Sequence, residues 1–326
     1  MSHPSAEQNH VDFQKTAQAL NNILTEVEKV VLGKRSVVRQ MIACLAAGGH
    51  LLLEDVPGVG KTTMAMALAK ASGLDYKRIS FTPDTMPSDV TGFTMFDQEQ
   101  KRFEYRPGVA MCNLLLADEI NRASPKTQSS LLEVMEESMV TVDGVSHAVP
   151  APFMVIATQN PIGFVGTHPL PEAQMDRFLM RLSMGYPSEA DEIAMIAGRQ
   201  LVNPMDHVQQ VATPEVILSI RQATRQIHLE ESVQKYIVQI VTKTREDPML
   251  SLGASPRASL ALMRTAQAAA LLEGRNYVIP EDVAVMVPTV LNHRIMLNQQ
   301  AKMSRISPDE LLEKIRQSVK APFIRI

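Results

Sequence analysis

The stretch that most restricts how this chain can fold is LEDVPGVGKTT, Leu53 to Thr63. It follows an apolar run, Leu51-Leu52-Leu53, and runs on into residues that suit a helix. A glycine loop between a buried strand and a helix points several backbone N–H groups and the positive end of the helix at one spot, where an anion is favoured. Gly58 and Gly60 let the backbone close around phosphate oxygens, Lys61 reaches the outer phosphates, and Thr62 offers a hydroxyl to magnesium. One position departs from the general pattern, because Asp55 stands where a first glycine is expected. A glycine-rich turn with a solvated lysine is the plain alternative, and the rest of the chain has to decide between them.

A strand, loop and helix of this kind belongs to a larger sheet. Leu114-Leu115-Leu116-Ala117 and Phe153-Met154-Val155-Ile156-Ala157 are continuously apolar rather than alternating, as parallel strands covered on both faces are. Helical segments between them complete an α/β pattern with a central parallel sheet. Before the loop, Leu20, Ile23, Leu24 and Val27 recur at helical spacing, while residues 1–10 are polar, carry Pro4 and are expected to form a disordered tail. Two hairpins interrupt the plan. Phe93 to Tyr105 ends in an alternation of Phe103 and Tyr105 with Arg102 and Glu104, although its connection lacks glycine; Met139 to Val142 runs into Asp143-Gly144, which suits a two-residue turn. After Tyr186-Pro187 the strand-like runs cease, and Val233, Tyr236, Ile237, Ile240 and Val241 share one helical stripe. Ser255-Pro256, Ile279-Pro280 and Ser307-Pro308 read as helix starts, with serine as N-cap in two of them. The expected organisation is an α/β nucleotide-binding domain over 11–187 and a smaller all-helical lid domain over 188–326. With 4% aromatic residues, no Trp and 20 Met, the core rests on aliphatic side chains and Met, which favours helices.

Further residues carry chemistry. The run Leu114 to Ala117 ends in Asp118-Glu119, where Asp118 can hold hydrated magnesium and Glu119 can orient and deprotonate an attacking water; a pair of acids at a strand end is otherwise a solvated exit. The next strand delivers Gln159-Asn160, and an amide at Asn160 can align the same water, although Asn before Pro161 equally forms a turn. Cys44 and Cys112 are far apart with no CxxC, which argues against disulfides or a cysteine metal site and fits a reducing cytoplasm. His147 and His168 have no partner at metal-ligand spacing. A net charge of -3 gives no field for nucleic acid or anionic membrane, and no run reaches the ~18 apolar residues of a membrane span. No stable nucleic-acid complex and no membrane insertion are expected.

Together with LLLADEINRASPKTQSSLLEVMEE, VTVDG, FMVIATQNP, LPEAQMDRFLMRL and GASPRASLALMRTAQAAALLEGR, the loop resembles the AAA+ ATPases and, within them, the MoxR family, from about Val30 to His293. The resemblance implies an AAA+ P-loop domain with a helical lid, hydrolysis of ATP with Mg2+, and a hexameric ring. It implies a nucleotide cradle formed by Asp55, Val56, Pro57, Gly58, Val59, Gly60, Lys61, Thr62 and Thr63, with Asp55 at home in MoxR-like loops. Asp176-Arg177-Phe178 matches the segment that lends an arginine finger to the neighbouring subunit, a surface salt bridge being the plain alternative for Arg177. Arg257 matches the second sensor, in a first helical turn where it is expected to face the γ-phosphate; Gly33, in VVLGK, matches the segment lining the adenine, though a lone glycine is usually a bend. The two hairpins match insertions that face a pore or substrate in relatives. The implied function is the remodelling or maturation of client proteins, metal insertion included, often beside a partner with a von Willebrand factor A domain. The alternatives are a magnesium-chelatase-like motor subunit, a nucleic-acid motor or transcription activator, whose loop TGFTMF faintly resembles, and a nucleotide switch, which Glu119, Asn160 and Arg177 disfavour.

Overall fold

The continuously apolar runs become the middle of one parallel sheet. The computed structural model describes residues 12–160, 168–199 and 203–323, so the expected tail at 1–10 lies outside the described residues. Two helices come first, α1 (Phe13–Glu28) and α2 (Arg35–Ala47); Asp12 caps α1 through the Lys15 N–H, and Gly48, at φ +73°, ends α2. Then come β1 (Leu51–Glu54), α3 (Lys61–Ser72), β2 (Tyr76–Ser80) and α4 (Pro87–Thr91). The hairpin β3 (Gly92–Asp97) and β4 (Arg102–Pro107) leads to β5 (Leu114–Asp118) and α5 (Pro125–Glu137). A second hairpin, β6 (Met139–Val142) and β7 (Val145–Ala148), precedes β8 (Met154–Gln159), α6 (Glu172–Met175) and β9 (Met180–Leu182).

The sheet order is β2-β5-β8-β1-β9, and all four pairings are parallel. Leu51, Leu53, Leu114, Leu116, Met154 and Ile156 face one apolar cluster with α1, α2 and α3, whereas Leu52, Leu115, Ala117, Val155 and Ala157 face another with α5. Burial on both faces is why the alternation expected of a half-exposed strand is missing from the sequence. Because the strands run the same way, their C-terminal ends, Glu54, Asp118, Gln159 and Leu182, share one edge of the sheet. Their N-terminal ends share the other. Ligands of open parallel sheets bind outside the C-terminal edge.

Both expected hairpins are present. Phe96 pairs with Phe103, and Lys101 takes the left-handed turn position at φ +48° without help from a glycine. In the second, Asp143 and Gly144 lie at φ +49° and +78°, the two left-handed residues of a type I′ turn. The Tyr105 and His147 rings stack 3.9 Å apart and join the hairpins, while Phe93, Phe96 and Phe103 stay exposed.

Helices dominate the remainder: α7 (Glu189–Arg199), α8 (Pro214–Gln226), α9 (Glu231–Glu246), β10 (Leu250–Leu252), α10 (Pro256–Leu272), α11 (Pro280–Leu291), β11 (Met296–Leu297), α12 (Gln299–Met303) and α13 (Pro308–Ser318). The stripe Val233, Tyr236, Ile237, Ile240 and Val241 is buried, in the same cluster as α1 and α2. The two-stranded ribbon β10-β11 adds to the expected helices; its strands of three and two residues are too short to leave a pattern. Ser307 caps α13 as expected, but Ser255 does not cap α10: its hydroxyl donates to Asp176 Oδ2 at 3.0 Å instead. Among the described residues no helix is long and apolar enough to cross a membrane.

A half-buried histidine makes stability depend on pH. His50 Nδ1 accepts from the Val155 N–H at 2.9 Å, so Nε2 carries the proton donated to Met135 O at 2.9 Å. Burial pushes this imidazole down from 6.5 to about 4, and burial pushes His293 down as well. The unfolded chain binds the extra proton first, so stability is intact above pH 6.5 and is lost as pH falls towards 4. Urea unfolding at pH 7 and pH 5, for the protein and a His50→Gln variant, checks this; equal pH slopes in the two would refute the assignment.

Candidate functional site

The phosphate loop opens at the C-terminal edge, between β1 and α3. Gly58 and Gly60 lie at φ +89° and +97°, and a Cβ added at Gly58 would meet nothing within 4 Å, so the loop bounds open ground where phosphate oxygens fit. Lys61 is 8% exposed, and its Nζ donates to Asp55 O at 2.7 Å. Burial pushes the Lys61 ammonium down, while the charges of Asp55, Asp118 and Glu119 oppose that fall. Thr62 and Thr63 occupy the first turn of α3 at intermediate burial.

The Asp55 carboxylate is taken up by donors from the segment after β9. It accepts from Ser183 Oγ at 3.0 Å, from Gly185 N at 3.1 Å and from Met184 N. A carboxylate turned towards phosphates would repel them; here it faces away, is 6% exposed, and ties the loop to the segment that leaves β9. Met184 from that segment lines an apolar pocket with Val30, Val31, Val59, Pro187 and Met195. Gly33 stands between Leu32 and Lys34, which line this pocket. Its backbone is left-handed at φ +69°, and a Cβ there would lie 2.0 Å from the Asp191 carboxylate, so glycine serves the close approach of α7.

Asp118, Glu119 and Asn160 converge at the ends of β5 and β8. Thr158 Oγ1 donates to Asp118 Oδ1 at 2.6 Å and accepts from the Glu119 N–H at 2.9 Å, and Arg78 Nη2 donates to Asp118 Oδ2 at 2.6 Å. Glu119 leaves the strand with a left-handed backbone at φ +56°, which turns its side chain out of the ladder. Asn160 Nδ2 donates to Glu119 Oε1 at 3.1 Å, and Arg122 Nη1 donates to Oε2 at 2.9 Å. A carboxylate held at both oxygens beside the phosphate loop is placed to accept a proton from water and is oriented for it.

Arg177 and Arg257 lie elsewhere. Arg177 Nη1 meets Glu136 Oε2 at 2.5 Å and Leu132 O at 3.2 Å, and Arg257 Nη2 meets Glu136 Oε1 at 3.1 Å. The cavity there, about 510 Å³, is also lined by Gly49, His50 and Phe153, which precede β1 and β8. This is the N-terminal edge of the sheet. The four residues of β1, at about 3.3 Å each, put roughly 13 Å between the two edges. Arg257 is expected to face a γ-phosphate, and within this chain it lies at the edge opposite the phosphate loop, where the Ser255–Asp176 hydrogen bond holds the first turn of α10 beside Arg177.

Sequence reasoning did not find Thr158, Arg78 or Glu136. Thr158 had a signal, a polar side chain closing an apolar run. Arg78 had none, since β2 is an edge strand with a mixed pattern, and Glu136 is one acid among several on α5.

Comparison with known proteins bears on the fold and the family. Residues 50–180 match the ATPase family associated with various cellular activities, and residues 242–315 match the AAA lid domain. Protein YeaC of Bacillus subtilis is 48% identical, over 94% of this chain and 96% of its own length. Chaperone MoxR1 of Mycobacterium tuberculosis is 40% identical, over 94% of this chain and 83% of its own. A crystal structure from Cytophaga hutchinsonii, of a protein described as an ATPase, superposes with a TM-score of 0.88 at 36% identity and covers 96% of this chain and 97% of that one. A P-loop on a parallel sheet, two acids at the same edge, a helical lid and these relatives lead to one conclusion: the chain belongs to the MoxR family of AAA+ ATPases, which hydrolyse ATP.

Proposed function

We propose that this ATPase works as a hexameric ring in which Mg-ATP binding and hydrolysis remodel or mature client proteins. The observation that carries the ring is the distance between Lys61 and the Arg177–Arg257 pair, which occupy opposite edges of the sheet within one chain. A finger at the N-terminal edge serves catalysis only when a second subunit brings its phosphate loop to that edge. Thr62 and Asp118 supply the hard oxygen donors that magnesium takes, the ion neutralising phosphate charge when bound. Asp118 is held ready by Thr158 and Arg78, Glu119 takes the proton of the attacking water, Asn160 and Arg122 orient Glu119, and Lys61 binds the outer phosphates. Val30, Val31 and Met184 form the apolar side of the base pocket.

The client reading draws on the similarity to a chaperone, MoxR1, and on the exposed Phe93, Phe96 and Phe103 of the first hairpin, which offer apolar surface to a polypeptide. Metal insertion into the client, a partner with a von Willebrand factor A domain and a cytoplasmic setting belong to the same proposal. A nucleic-acid motor is less well supported, given the net charge of -3.

Lys61→Ala tests the first link. Loss of the buried ammonium is expected to weaken ATP binding by on the order of a hundredfold in a nucleotide titration. Unchanged affinity removes the phosphate loop from the mechanism. A wild-type chain that binds ATP and stays monomeric removes the ring.

A further inference from the structure

Two guanidinium groups of like charge meet at the N-terminal edge, one from each part of the fold, and a single carboxylate holds both. Arg177 comes from the segment between α6 and β9, and Arg257 from the first turn of α10 in the lid. Glu136 gives Oε2 to Arg177 at 2.5 Å and Oε1 to Arg257 at 3.1 Å. The cavity around them is lined by six arginines, Arg177, Arg221, Arg225, Arg257, Arg264 and Arg294, against two acids, Glu136 and Asp176. Asp176 is already engaged by Arg294 Nε at 2.7 Å and by Ser255 Oγ at 3.0 Å. Glu136 is thus the acid that neutralises the Arg177–Arg257 pair. Without its charge the two cations repel each other, and two long side chains regain rotamer freedom.

The carboxylate itself sits on a fixed support. Leu132 and Glu136 lie four residues apart on one face of α5, so Arg177 docks on that helix through a carbonyl and a carboxylate together. The last turn of α5 is tied to the N-terminal edge by the bond from His50 to Met135 O. A guanidinium carries five N–H groups, and Glu136 engages only part of each fork, which leaves donors free for a phosphate.

We propose that Glu136 is a positioning residue: it holds Arg177 of the α/β part and Arg257 of the lid as a two-pronged clamp for the outer phosphate of the nucleotide bound by a neighbouring subunit. This rests on the reading that Arg177 acts across a subunit interface. The clamp is assembled before the neighbour arrives, and its two prongs keep their spacing only while α10 stays docked, so a displaced lid withdraws one of them. Preorganised charge at the position of the transition state is where a short displacement has a large effect on rate.

The test is Glu136→Gln, which keeps length and shape and removes the charge. Steady-state ATPase assays should show kcat lower by roughly tenfold to a hundredfold, with KM for ATP, nucleotide affinity and the thermal melting curve unchanged. In an Arg257→Ala background the same substitution should lower the residual kcat by a smaller factor, because only Arg177 remains to be held. An undiminished kcat overturns the proposal. So does an equal loss in both backgrounds, which would mark a general structural effect, and so does higher activity at low protein concentration, which would make Glu136 a competitor of the phosphate. Mixed rings of Lys61→Ala and Arg177→Ala subunits separate the two readings. If they recover turnover while Glu136→Gln behaves as wild type, only the role of Glu136 fails; if they stay inactive, the interface reading fails first.

Discussion

Glu119→Gln is expected to retain ATP and to lose turnover by on the order of a hundredfold to ten-thousandfold, the range a positioned general base contributes. The amide has the size of the carboxylate, so Asn160 still finds an oxygen to donate to at Oε1. The Arg122 ion pair is lost, but both partners are partly exposed, and such a pair contributes little to stability. What disappears is the capacity to take a proton from the attacking water. Nucleotide binding, carried by Lys61 and the loop amides, is untouched by that change. Steady-state ATPase assays beside a nucleotide titration measure the two quantities separately, and a normal rate would remove Glu119 from the role of base. The same variant, held in the ATP state, retains its client for mass-spectrometric identification, which bears on the chaperone proposal directly.

The parts of this site that could be read in the sequence are those set by local pattern. Unbroken apolar runs ending in Asp118-Glu119 and Gln159-Asn160 placed three chemical groups at strand ends, and a parallel sheet brings all strand ends of one sense to one edge. Asp143-Gly144 encoded its own turn, because two adjacent left-handed residues are a local requirement. What could not be read depends on contacts between distant segments. The Asp55 carboxylate finds its donors at Ser183 to Gly185, 128 to 130 residues away, and nothing near Asp55 announces them. Gly33 similarly depends on where Asp191 comes to rest. Arg257 was matched to its motif, but its side of the molecule is decided by Ser255 meeting Asp176, 79 residues earlier in the chain. A serine before Pro256 has the local form of an N-cap, and a tertiary partner took its hydroxyl. The result places this arginine at the N-terminal edge of the sheet, away from the phosphate loop of the same chain.

That placement leads to the expectation with the largest consequence for assembly. Arg177→Ala should still bind ATP through its own Lys61 loop, since about 13 Å of sheet separates the two edges, yet hydrolyse it on the order of a thousandfold more slowly, the scale on which arginine fingers act in related phosphoryl transfers. Lys61→Ala has the complementary defect: no working phosphate loop, but an intact Arg177 beside Glu136 and Leu132. Each variant alone should be nearly inactive. In a mixed ring, a Lys61→Ala subunit can present its Arg177 to the ATP held by an Arg177→Ala neighbour, and that one interface contains every group the reaction requires. Activity should therefore rise on mixing, reach its maximum near equal proportions, and depend on subunit exchange, which fluorescence transfer between labelled subunits follows independently. Mixtures that exchange subunits and remain as inactive as their components would return Arg177 to its own chain, as a structural partner of Glu136, and would leave the N-terminal edge without a part in hydrolysis.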